Sequence, residues 1–314
     1  MMFVLHGATL AFAWFVALNA AASAAVAAAA GVRWRAESPA FWFGIRLLPS
    51  ALAAMFVLAV FVPSYWRYEP AETLEGFDVT LVAVAAIAVA LLAAASARGL
   101  RAWRHAERRV RAWMQSARPL GRAHALVPAF EIDGDAPMMA LAGVLRPRLL
   151  VTRALVAALT DEELAASVAH EIGHCRARDN LKRLVMRAAP DFLTSTPAAR
   201  TLERRWASAA EHAADRMRDN ATPAARFALA SALVKVARLM PPSAASAEPI
   251  STLVGGGDIA SRVQRLLEDR PPAGARGRLS NWLAVAGLAV LVVTYGPLLQ
   301  IVHQATEILV HTLP

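Results

Sequence analysis

Four long apolar blocks constrain this chain more than any other feature. They run from Met1 to Gly31, Phe41 to Val62, Val79 to Ala97 and Asn281 to Val302. Each is close to the ~20 residues a helix needs to cross a bilayer. The first block is followed, not preceded, by Arg33, and the second is interrupted by Arg46 and Pro49. Trp42, Trp66 and Trp282 sit where interfacial anchors are expected. Hydrophobic residues make up 57% of the chain and its mean hydropathy is +0.41, which excludes a disordered, solvated polymer. The spacing predicts four transmembrane helices, over 1–31, 41–62, 79–97 and 281–302, with the lipid bilayer as a partner.

Ala22-Ser23-Ala24 has the small residues of a cleavage site, but no Lys or Arg precedes the apolar run and the block is long. Both features favour an uncleaved helix with its N-terminus outside. Charge bias sets the remaining topology. The second loop sets Arg67 against Glu69, Glu72, Glu75 and Asp78. Residues 98–278 hold every Lys and all Arg except Arg33, Arg35, Arg46 and Arg67. Positive-inside orientation then puts Arg33, Arg35 and the long segment in the cytoplasm of an inner-membrane, multi-pass protein. Arg46 falls near the start of the second span, where it is expected to snorkel.

The net charge of +9 and the pI near 10.9 have a plain source in this topology. Arg98, Arg101, Arg104, Arg108, Arg109 and Arg111 follow the third block directly and suit anionic headgroups. No finger, RRM or basic-zipper signature is present, so nucleic acid is not an expected partner. The single cysteine, Cys175, excludes an intramolecular disulfide and reads as a packing residue.

Residues 98–280 amount to one domain. Arg98 to Ala117 reads as helix. Short strands are expected over His124 to Ile132, Met138 to Leu145 and Leu149 to Thr152, with Pro128 marking an edge. Thr160 and Glu163 form a capping box that opens a helix, along which Leu164, Val168, Ile172 and Cys175 recur at helical spacing. Thr196-Pro197 and Thr222-Pro223 open two further helices, and Ile259 to Glu268 a last amphipathic one. The expected fold is a mainly α membrane protein whose α+β domain lies between the third and fourth spans, on the cytoplasmic side.

The helix that starts at Thr160 carries His170-Glu171-Ile172-Gly173-His174. Two His at i and i+4 share a helical face and can reach one metal ion. Zinc lowers the pKa of water in its sphere toward ~7, and Glu171 is placed to take the proton as general base. A catalytic zinc site wants three protein ligands. Glu211 and Asp215, also at i and i+4, offer the third ligand and a carboxylate to orient one imidazole. His212 is the rival third ligand and Glu203 a weaker one. Asp179 reads either as a carboxylate behind the ligands or as a surface ion pair. His212, Arg216 and Arg218 are the groups that could stabilise an oxyanion. The strand Met138 to Leu145 reads either as an interior strand or as an edge to which an extended peptide can pair.

The motif His170 to His174 with Arg178-Asp179-Asn180, followed by Glu211 to Asp215, resembles the membrane-embedded gluzincin peptidases. The likeness is to the BlaR/MecR-type antirepressor metallopeptidases, with HtpX-like and CAAX-prenyl endopeptidases as related groups. Gly143 to Thr152 and Ser261 to Leu267 are similar to segments of such domains. The resemblance implies a gluzincin domain, zinc held by His170, His174 and Glu211, and Glu171 as general base. It also implies cleavage of a protein or peptide substrate, which in that family is a cytoplasmic transcriptional repressor. About a dozen residues follow Val302, so an extracellular sensor domain is not expected. The competing reading is a membrane signalling or scaffold protein with a structural or inactive zinc site.

Overall fold

The computed structural model describes residues 2–32, 38–69, 79–120, 127–134, 136–216, 222–239, 259–268, 294–308 and 310. Apolar, mostly small residues build α1 (Met2–Ala29). Ser38 and Pro39 start α2 (Pro39–Phe56), which passes through a π-helical turn at Val57–Phe61 into α3 (Val62–Tyr68). The turn has a local cause. Pro63 has no N–H to give the carbonyl four residues back, at Ala59. The hydroxyl of Tyr295 donates to that carbonyl instead.

Among the described residues, three helices are long and apolar enough to cross a membrane: Met2–Ala29, Pro39–Tyr68 and Val79–Met114. In the expected fourth span, residues 281–293 lie outside the described residues, while 294–308 are helical. That helix is tied to the others by Ser64 Oγ donating to Leu299 O at 2.6 Å and Trp14 Nε1 donating to Thr306 Oγ1 at 3.1 Å.

The third apolar block and the basic stretch after it form one unbroken helix, α4 (Val79–Met114). Its 36 residues span roughly 54 Å, against a hydrocarbon thickness of ~30 Å. The basic half of α4 therefore projects beyond any bilayer that the apolar half crosses. Its end packs on a small sheet.

Among the described residues the sheet has four strands: β1 (Arg118–Pro119), β2 (Ala129–Ile132), β3 (Met139–Ala142) and β4 (Arg148–Thr152), in the order β1-β2-β4-β3. β2 and β4 are parallel, and the other two pairs are antiparallel. The two-residue β1 falls just beyond the expected helix end, and β2 is shorter than expected; residues 121–126 lie outside the described residues.

After α5 (Arg153–Ala158) come α6 (Asp161–Ala177), α7 (Asp179–Arg187), α8 (Pro197–Asp215), α9 (Pro223–Leu239) and α10 (Ile259–Leu267). The strands alternate as a two-faced sheet requires. Leu149 and Val151 face a core with Ile172 of α6 and Leu229 and Leu233 of α9. Leu150 faces Val110 and Trp113 of α4.

Arg46 does not snorkel. Its side chain is fully buried in α2 and pairs with Asp191 at 2.9 Å, itself fully buried, and with Glu203 at 3.1 Å. It also donates to Met186 O and Thr194 Oγ1. The same connection between α7 and α8 is held from α1, where Asn19 donates to Pro190 O and accepts from Phe192 N, and from α4, where Arg98 donates to Ala189 O. Gly99 allows the close approach of α4, because a Cβ there would lie 2.8 Å from that of Ala188. Trp42, Val26, Leu193 and Trp206 complete a shared apolar core around this junction.

Removing one member of a buried ion pair strands the other charge. Arg46→Met is therefore expected to destabilise the protein by about 3–5 kcal/mol. Thermal unfolding in detergent micelles checks this, and adding Asp191→Asn should recover part of the loss. An unchanged midpoint for Arg46→Met would refute the reading.

Candidate metal centre

The capping box is formed as the sequence requires. Thr160 Oγ1 accepts from Glu163 N, and the Glu163 carboxylate accepts from Thr160 N. Lys235 and Ser231 of α9 hold the same Glu163 side chain and fix α6 against α9. α6 then presents His170 and His174 from one face, both buried. It ends at Arg178, which takes a left-handed conformation with φ of 54°. Such a conformation costs a non-glycine residue about 1–2 kcal/mol. The turn it makes starts α7 at Asp179 and brings that carboxylate back to His174 Nδ1 at 2.7 Å. Asp179 is 3% exposed, so it is not a surface ion pair, and Lys182 contacts its other oxygen at 3.3 Å.

The facing helix, α8, carries Glu211 and Asp215 on one side, both buried. Asp215 Oδ1 lies 2.9 Å from His170 Nδ1, a short contact although the ring N–H is not aimed straight at the oxygen. Glu211 Oε2 lies 3.4 Å from His170 Nε2, and Oε1 lies 3.5 Å from His174 Nε2. The two Nε2 atoms are 3.2 Å apart.

One buried ligand atom from each of His170, His174 and Glu211 falls within 4.8 Å of the others. The set fits zinc. Tetrahedral bonds of ~2.0–2.1 Å hold donors roughly 3.3–3.4 Å apart, which is where these separations cluster. The two Nε2 atoms face one another while each Nδ1 lies near a carboxylate, so protons kept on Nδ1 would leave both Nε2 lone pairs to one cation.

The electrostatics agree. Burial pushes the His174 imidazole down, but Asp179 and Glu211 outweigh it and lift it to about 10. Burial likewise disfavours charge on His170, and Asp215 and Glu211 reverse the shift. Burial pushes the Glu211 carboxyl up, but the two imidazoles hold it well below the usual range. The cleft is thus a negative potential that favours positive charge.

The sequence reading missed Arg262. This α10 side chain, 3% exposed, clamps Asp215 through Nε at 3.0 Å and Nη2 at 2.6 Å, and its Nη1 lies 3.1 Å from Glu211 Oε2. Burial pushes the Asp215 carboxyl up, yet His170 and Arg262 hold it at about 2. Its place within Ser261 to Leu267 carried no role by spacing alone; only the chain's return to α8 gives it one.

Glu171 is fully buried, and Leu141 N donates to its Oε2 at 3.2 Å. It lies close enough to act electrostatically on His174 and Arg262. β3, the strand of Leu141, is an outer strand of the sheet, but its edge is not bare. Asn180 Nδ2 donates to both Leu141 O and Gly143 O at 2.9 Å.

Of the other sequence-predicted residues, Glu203 is turned toward Arg46. His212 is half-buried, with Nδ1 3.3 Å from Arg265 Nη1. Burial and the Arg265 charge lower its pKa. Arg216 is exposed just past α8, and Arg218 lies outside the described residues. Cys175 is half-buried and packs against the core of α6 and the sheet.

The model of peptidase family M48 matches residues 104–252, which run from the basic end of α4 through both helices of the site. No curated protein matches the chain. The match, over just under half of the chain, supports the M48 metallopeptidase family and with it a zinc metallopeptidase hydrolase, and the group His170, His174 and Glu211 that could hold a metal ion falls inside the matched segment. Arg262 falls beyond the matched segment. Partners behind metal ligands typically contribute about 10–100-fold to metal affinity. Arg262→Met is expected to weaken zinc binding within that range, measured by chelator competition. Wild-type affinity in that variant would show that the clamp does not support the ligands.

Proposed function

We propose that this chain is an integral-membrane zinc endopeptidase that hydrolyses peptide bonds of a cytoplasmic or membrane-proximal protein. His170, His174 and Glu211 would hold the metal, Glu171 would be the general base, and Asp179 and Asp215 would orient the imidazoles. The observation that carries this reading is the meeting of three ligand atoms from two helices, with a carboxylate behind each imidazole. The catalytic part would face the cytoplasm of the inner membrane, as the charge bias of the loops favours. The family resemblance adds a transcriptional repressor as one substrate to test.

A bound zinc ion would supply Lewis acidity toward water and the scissile carbonyl. The protein's own steps follow from its residues. Glu171, aligned by the Leu141 N–H, takes the proton from water and later passes it to the leaving amine. Asp179 and Asp215 keep the protons of the imidazoles on Nδ1 and leave Nε2 free to ligate. Asn180 pins β3, so that the N–H holding Glu171 stays in place. Leu141 and Gly143 are already engaged along that edge, so a substrate strand pairs there only by displacing Asn180 or by using other positions. His212, Arg216 and Arg218 stay as groups for the oxyanion, and Arg262 joins them on proximity to Glu211.

Glu171→Gln should retain its zinc and lose about 10²–10⁴-fold in peptide cleavage. The check is metal analysis of the purified variant, with a proteomic comparison of cells carrying wild type or variant. Equal cleavage by the two would sink the mechanism. A zinc-loaded wild type that cuts no protein would favour the scaffold reading.

A further inference from the structure

A cavity of about 210 Å³ lies between the basic half of α4, the β3 end and α7. α4 contributes Trp103, His105, Arg109 and Trp113, and α7 contributes Arg183 and Arg187. Its floor includes Leu141 and Gly143 of the β3 edge, together with Asn180. The lining holds three arginines and no Asp or Glu among the described residues; the Arg183 guanidinium lies over the Trp206 ring, which leaves Arg109 and Arg187 as the charges the argument uses. Pockets for cofactors and drug-sized molecules run to about 300–1,000 Å³, so this one has the size of a side-chain subsite. None of His170, Glu171, His174 or Glu211 lines it, but two of its lining residues lead to them. Leu141 holds Glu171, and Asn180 follows directly on Asp179, the partner of His174.

We infer that this groove is a substrate subsite that selects an extended polypeptide carrying an acidic side chain beside an apolar one. The inference rests on the peptidase reading above and names the substrate class for the same site. Arginine pairs with carboxylates in a fixed, two-pronged geometry, and the flanking indoles suit an apolar neighbour. Because α4 rises without a break from its apolar half, one wall of the subsite is the continuation of a membrane helix. Substrate selection is then built on a rigid element fixed relative to the membrane.

The test uses the full-length, zinc-loaded protein in nanodiscs. Matched internally quenched peptides carry Glu, Gln or Lys at one position, scanned on both sides of the cleaved bond. At one position, Glu should raise kcat/KM about tenfold over Lys, and Arg109→Glu or Arg187→Glu should invert that preference. Arg187 is exposed, so its variant keeps the test independent of folding. A preference that charge reversal leaves unchanged at every position overturns the inference while the peptidase reading stands. So does a charge reversal that alters only binding to anionic over zwitterionic vesicles, which would make the surface a lipid contact. If the wild type cuts no peptide, the peptidase reading fails separately. The inference is then decided by anisotropy of the same peptides on Glu171→Gln, where the Glu peptide should bind about tenfold tighter than its Lys counterpart. Equal affinities overturn it.

Discussion

The buried pair Arg46–Asp191 is the constraint on which the rest of this structure depends. A guanidinium on an apolar helix is expensive to desolvate, and it is tolerated only where its hydrogen bonds are met. Here the partners run from the last turn of α7 into α8: the Met186 carbonyl, the Asp191 and Thr194 side chains, and Glu203 about two turns into α8. Asp191 is occupied in turn by Ser50 and by the backbone and hydroxyl of Thr194. The membrane helices and the helices of the metal centre therefore satisfy each other's polar groups and cannot be independent folding units.

The polar level at which this happens also measures the apolar spans. Met2 to Asn19, Ser50 to Tyr68 and Val79 to Arg98 each run about 18–20 residues, or roughly 27–30 Å of helix. That is the thickness of a hydrocarbon layer, ~30 Å. Asn19, Ser50 and Arg98 are all residues that grip the 186–194 stretch. The stretch thus sits where the apolar spans end, and the turns beyond it in α1, α2 and α4 cover the peptidase helices. α7 leads into it from Asp179, and α8 leads out of it toward Glu211. The junction consequently sets the spacing between the helices that carry Asp179 and Glu211.

What was legible in the sequence was local and periodic. The capping box of Thr160 and Glu163, the i, i+4 pairs His170/His174 and Glu211/Asp215, and the three long apolar helices all follow from spacing within one element. What was illegible depended on chain return. Nothing near Arg46 announces that Asp191 will be its partner, so a flank-seeking arginine was the natural expectation. Arg262 lies 47 residues past Asp215 and shares no period with it. The break at Arg178 was hidden because the left-handed turn there is made by a residue that does not favour it. β3 could be recognised as a strand, but the occupation of its edge by Glu171 and Asn180 required the two helices to be in place.

Arg262 also bears on the proposed role of Glu211 as a metal ligand. A carboxylate beside a divalent ion can offer one oxygen or both. The Nη1 of Arg262 reaches Oε2 at 3.1 Å, while Oε1 faces His174 Nε2 at 3.5 Å. Oε2 also lies 3.4 Å from His170 Nε2, so both carboxylate oxygens face the imidazole pair and Arg262 braces that carboxylate from the side of α10. Arginine suits this task better than lysine. It stays charged whatever the potential around it, and its planar fork grips both oxygens of Asp215 while a third nitrogen reaches Glu211. One residue of α10 thereby contacts both Glu211 and Asp215 and ties that helix to the face of α8 that meets the two imidazoles.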